Sequence, residues 1–281
     1  MPSPSVCSWS LRPTSPADLA DYVHACGLSS VQLALDPIRS GVWSADETSE
    51  LLLSHGIRIG SGMMSTCAED YSTLESIKAT GGLRPDAHWE ANLRNAEACA
   101  AVATRFGLPL VTLHAGFLPH DSSDPARDRM IDRLRQVADV FAIHNITLAL
   151  ETGQEDADTL LAALHDVNQS LRPVAHIGVN FDPANMILYG MGDPVVALQK
   201  LLPHVLQVHI KDALPSATPG TWGSEVRVGD GAVDWPRFFA NLASADRDIP
   251  LVIEREAGES RIADVAHAAA FIQTFRPDSS L

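Results

Sequence analysis

The chain has 281 residues, 46% of them hydrophobic and 20% charged, with Gly and Pro at 18 each, a globular composition that excludes disordered and collagen-like classes. Twenty Lys and Arg against 35 Asp and Glu leave a net charge of -15, a sign that repels phosphate backbones and anionic membranes and argues against either as a partner. The scattered cysteines Cys7, Cys26, Cys67 and Cys99 form no C-x-x-C, no apolar run approaches the roughly 18 residues of a membrane span, and the opening MPSPSVCSWSLRP lacks a leader pattern, so a reducing cytoplasm is the expected compartment.

In chain order, eight short apolar runs read as strands: VCSWSL (6–11), VQLAL (31–35), IRIGSG (57–62), LVTLHAG (110–116), TLALETG (147–153), IGVNFD (177–182), VLQVHIKD (205–212) and LVIERE (251–256). Between and after them lie stretches of helical period, including ADLADYVHAC (17–26), HWEANLRNAEACAAVATRF (88–106), ARDRMIDRLRQVADVFAIH (126–144), DTLLAALHDV (158–167), PVVALQKLL (194–202) and RIADVAHAAAFIQTF (261–275). Strands alternating with amphipathic helices call for parallel pairing through right-handed crossovers, and eight such units close an α/β barrel of the (β/α)8 TIM type. An open doubly wound sheet is the alternative, but the G-x-G-x-x-G turn after its first strand is missing. No stretch reads as an interdomain linker, so one domain over 1–281 is expected. Two long connections, 66–87 and 213–233, are expected to be structureless binding loops or lids.

The active site of such a barrel lies at the carboxyl ends of its strands. There the last four strands each present one ionisable side chain: Glu151, Asp182, His209 and Glu254. A lone carboxylate so placed is costly to desolvate, whereas a divalent cation shared by three carboxylates and an imidazole removes that cost. Oxygen ligands with one nitrogen suit Mn2+ first, then Co2+ or Mg2+, better than a structural zinc.

The segments LALETGQE, GVNFDPANMILYG, QVHIKDA, VGDGAVDW and VIEREAG together resemble the sugar phosphate isomerase/epimerase group of xylose-isomerase-like TIM barrels, which includes the ketose 3-epimerases. The resemblance spans nearly the whole chain and implies a metal on Glu151, Asp182, His209 and Glu254. It also implies that Glu151 and Glu254 work as opposed acid/base groups on a sugar, passing through an enediolate. Two departures stand out: Asn185 occupies the place of a histidine three residues after the metal Asp, and Ala157 the place of a second acid after the strand-five Glu. The resemblance also admits an epimerase or lyase acting on 3-keto-glycosides or inososes. A non-catalytic sugar-binding barrel is the rival of another class, which the two glutamates oppose, and endonuclease relatives are opposed by the acidic charge.

Further candidates for substrate contact are His114 at the end of strand four, Asn185, Lys211 on the face of His209, and Arg227 in the loop after strand seven. Tyr71, Arg84, His88 and Trp89 lie in or beside the loop after strand three, with helix packing the plainer role for Trp89. Gly229 and Gly231 read as a flexible turn leading to Asp234, the expected N-cap of the helix WPRFFANL. The expected partner is a small-molecule sugar, and a homo-oligomer is compatible with the pattern.

Overall fold

The computed structural model describes residues 3–121, 123–169, 171 and 176–275, so the two ends of the expected 1–281 span lie outside the described residues. Its strands are β1 (Ser5–Cys7), β2 (Ser30–Ala34), β3 (Arg58–Met63), β4 (Leu110–Leu113), β5 (Thr147–Glu151), β6 (Ile177–Phe181), β7 (Val205–Ile210), β8 (Asp212–Leu214), β9 (Ser224–Val226) and β10 (Leu251–Ile253). Eight of them close a barrel in the order β1-β10-β7-β6-β5-β4-β3-β2, every pair parallel, with helices outside, which is the expected (β/α)8 architecture.

Helix starts are marked by short polar caps that satisfy otherwise orphaned N–H groups. Ser15 caps Pro16–Ala25, Asp156 caps Ala157–Asn168 and, as expected, Asp234 caps Trp235–Ala243. Alternate strand residues point outward to the helices and inward to the barrel lumen. The outward set, with Leu33, Val111, Leu148 and Val179, is buried in one apolar core. The lumen is polar: Gln32, Ser61, Thr112, Asn180, Gln207 and His209 are all buried there. They are bonded to one another, with Ser61 Oγ donating to Gln207 Oε1 at 2.6 Å and Gln207 Nε2 to Asn180 Oδ1 at 3.1 Å.

Three expectations need correction. The predicted strand runs are too long; the SWSL half of the first becomes a 3-10 turn, Ser8–Leu11, that ends on Arg12 with a positive φ of 50°. The connection 66–87 contains a helix, Leu74–Thr80, nucleated by the reciprocal cap of Thr73 and Ser76. The connection 213–233 is not structureless, because β8 and β9 form an antiparallel hairpin. Nor is the turn beyond it free: the buried Asp212 carboxylate accepts the N–H groups of Gly229, Gly231 and Val233 and the indole N–H of Trp235. Gly231 is required there, since a Cβ would stand 2.0 Å from Asp212 Oδ1. Among the described residues no helix is long and apolar enough to cross a membrane.

Candidate metal centre and its cavity

The last residue of β5, the residue after β6, the fifth residue of β7 and the residue after β10 bring Glu151, Asp182, His209 and Glu254 together, each at most 4% exposed. One ligand atom from each lies within 4.8 Å of the other three. His209 Nδ1 stands 3.5 Å from Glu151 Oε1, 3.7 Å from Asp182 Oδ2 and 3.2 Å from Glu254 Oε2.

The other atoms of the four are committed elsewhere. His209 Nε2 lies 2.8 Å from Gln32 Oε1 and 3.0 Å from Asn180 Nδ2, contacts that turn the ring so that Nδ1 faces the carboxylates. Asp182 Oδ1 caps the helix Pro183–Tyr189 by accepting Asn185 N–H, leaving Oδ2 toward the cluster. Glu151 takes Asn185 Nδ2 on Oε1 at 2.9 Å and Asn180 Nδ2 on Oε2 at 3.1 Å. Glu254 takes Trp9 Nε1 on Oε1 at 2.7 Å and Lys211 Nζ on Oε2 at 3.0 Å.

His209 Nδ1 and Asp182 Oδ2 are fully buried without a hydrogen-bond partner. Orphaned buried polar atoms are costly, and two that converge on one point beside two more carboxylates fit a shared cation. The electrostatics agree. Burial lifts the Asp182 carboxyl to about 6 against the pull of the Lys211 ammonium. Burial also opposes charge on His209, yet Cys7, then Glu151, Glu254 and Asp182, carry its imidazole well above the ordinary value. Glu254, buried as well, is nonetheless held well below the usual carboxylate range by Lys211 and His209.

Glu254 of the cluster lines a cavity of about 540 Å3, together with Trp9, Tyr71, His114, Asn185, Tyr189 and Lys211 among others. His114 Nε2 lies 3.6 Å from Glu151 Oε1; burial lowers its basicity, but Glu151 and further carboxylates outweigh that and raise it. Lys211, buried rather than at the surface, also bonds Glu256 Oε2 at 2.9 Å and Asn185 Oδ1 at 3.3 Å. Arg227 is not brought to this cavity: its guanidinium is exposed and paired with Asp230 at 3.0 Å. Arg84 donates to Lys78 O, His88 is the N-cap residue of Trp89–Arg105, and Trp89 packs under Arg133, 5.1 Å from its ring.

Of the residues that orient the ligands, the sequence singled out Asn185 and Lys211 but not Gln32, Asn180 or Trp9. Gln32 and Asn180 each sit where the strand register shifts, between Val31 and Gln32 on β2 and between Val179 and Asn180 on β6. Such irregularities re-aim side chains beside active sites. The signal available was a lone amide inside an apolar run, VQLAL or GVNF. For Trp9, 245 residues from Glu254, no local signal existed.

The family model described as xylose isomerase-like TIM barrel matches residues 17–275. A solved structure, a xylose isomerase domain protein from Planctomyces limnophilus, is 31% identical with a TM-score of 0.84, covering 91% of each chain. A D-allulose 3-epimerase from Methylomonas sp. is 17% identical with a TM-score of 0.72 over 98% of each chain, a likeness of fold. The uncharacterized protein YihM of Escherichia coli strain K12 is 31% identical over 128 residues, 42% of this chain, and the matched chain spans 39% of that relative's length.

Proposed function

Because the chain belongs to the xylose isomerase-like TIM barrel family, we propose that it is a divalent-metal-dependent isomerase or epimerase of sugars that moves a proton at a carbon next to a carbonyl. The observation that carries this reading is the buried quartet with its two orphaned atoms, His209 Nδ1 and Asp182 Oδ2. The epimerase among the solved structures of like fold supports the reaction class.

In this reading Glu151, Asp182, His209 and Glu254 hold the cation, Mn2+ before Co2+ or Mg2+, which would supply Lewis acidity toward the substrate carbonyl. Glu151 takes the proton from the reacting carbon and Glu254 returns one to the opposite face, giving a ketose 3-epimerase type of reaction through an enediolate. Asn180 and Asn185 donate to Glu151 and keep its carboxylate aimed; Trp9 and Lys211 do the same for Glu254. Burial raises both carboxyls, but His114 and His209 beside Glu151, and Lys211 and His209 beside Glu254, hold them below their ordinary values. His114 and Asn185, on the cavity wall, are placed to bond sugar hydroxyls. Asn185 cannot relay a proton, so proton traffic falls to the two carboxylates.

The test is solvent isotope. Product formed in D2O at low conversion should carry deuterium at the inverted carbon. Glu151→Gln and Glu254→Gln should each cut turnover by about 10²–10⁴-fold with the melting transition retained. Product that keeps the substrate hydrogen overturns the two-base assignment in favour of a hydride shift or a single base.

A further inference from the structure

In (β/α)8 barrels a phosphate group is commonly bound by backbone N–H groups of the loops after the seventh and eighth barrel strands, the place where an anion meets ready-made donors. Here the seventh and eighth barrel strands are β7 and β10, and in each following loop a carboxylate of the chain itself holds several backbone donors. After β7, the N–H groups of Gly229, Gly231 and Val233 all point to Asp212, at 2.9, 3.1 and 3.2 Å. After β10, the N–H groups of Glu256 and Ala257 point to Glu225, with Glu256 N at 2.9 Å and Ala257 N at 3.2 Å.

The side chains around the cavity repeat the message. Glu69, Glu225, Glu254 and Glu256 line it, with Glu151 and Asp182 just beneath. Among the described lining residues the bases are Lys211 and His114. Lys211 is spent on Glu254, Glu256 and Asn185, and His114 faces Glu151. The Arg255 guanidinium, next to the lining residue Glu225, is bound to Glu225 and Asp264, each at 2.9 Å. An incoming phosphate would meet the carboxylates of Glu69, Glu225, Glu254 and Glu256 at the rim, and Glu225 already holds the first N–H groups of the loop after β10.

We propose that the substrate of this site is an uncharged sugar or glycoside, and that the lining carboxylates Glu69, Glu225 and Glu256 exclude phosphorylated and other anionic sugars, Glu225 also by holding the N–H groups of Glu256 and Ala257. This rests on the proposed function, in that it takes the cavity to be the sugar site.

The experiment compares matched pairs on the Mn2+-loaded protein: D-fructose with D-fructose 6-phosphate, D-xylulose with D-xylulose 5-phosphate, and a 3-keto-glucoside with its 6-phosphate. Binding is read by calorimetry and epimer formation by chromatography. The expected result is a loss of roughly 100-fold or more in affinity and in kcat/KM for each phosphorylated member, in keeping with like-charge juxtaposition at a binding site. Neutral sugars that bind and discriminate but are not turned over would uphold the inference while sinking the proposed reaction. A phosphorylated member that binds as tightly as its neutral partner, or more tightly, overturns it, as does a failure of every neutral sugar to bind.

Discussion

Glu155 lies four residues beyond Glu151, is 4% exposed, and is not one of the quartet. Burial, with Asp156 beside it, pushes its carboxyl from 4.5 up to about 8. The folded protein therefore holds a proton that the unfolded chain gives up above about 4.5. The sign follows from linkage: the stabilising effect is complete below that value and is lost as pH rises toward about 8. Wild-type protein should thus lose on the order of a few kcal/mol between pH 5 and 8 from this group alone. Glu155→Gln, which mimics the neutral carboxyl, should be the more stable protein at pH 8 and show a flatter pH profile. Urea melts at both pH values check this, and parallel profiles for the two proteins would show that Glu155 does not carry the effect.

At the scale of elements, the connection after β7 is held by one side chain. Asp212 accepts five hydrogen-bond donors, the four already described and its neighbour Ala213 N–H, and is itself fully buried. In Asp212→Asn one oxygen becomes an NH2 group that faces N–H donors, so about 2–4 kcal/mol should be lost. The loss should appear in denaturant melts and as faster amide exchange at Gly229, Gly231 and Val233, with the barrel strands still protected. This clamp also explains what was and was not legible in the sequence. All eight barrel strands could be read because their outward residues are apolar and their inward ones break the run at period two. The hairpin of β8 and β9 could not, since DAL and SEV contain no apolar run, and their partner contacts, such as Glu225 with Arg255, come from 30 residues away. The four ligand-type residues were visible because each ends an apolar run; the amides of Gln32 and Asn180 that help aim them were hidden by register shifts that no local pattern records.

For the molecule as a whole, a cation bound by β5, the turn after β6, β7 and the turn after β10 would tie one side of the barrel together. A ligand that binds only the folded state at 100 times its Kd adds about 2.7 kcal/mol. For a domain of this size that corresponds to a rise in Tm of roughly 5–10 °C. Chelator-treated protein should melt lower by that amount and recover with Mn2+, whereas Asp182→Asn should show a much smaller response. An unchanged Tm on metal addition would remove the quartet as a cation site. The bond between Trp9 and Glu254 has a consequence in time. It joins residues 245 apart, across the seam where β1 meets β10 through only two paired positions. A ribosome adding about 5–20 residues per second takes some 12–50 s to travel between them. Throughout that interval the emerging polypeptide carries Glu151, then Asp182, then His209, without the residue that completes the set. A cation that needs all four residues would therefore find its site incomplete until Glu254 has emerged and the seam can close.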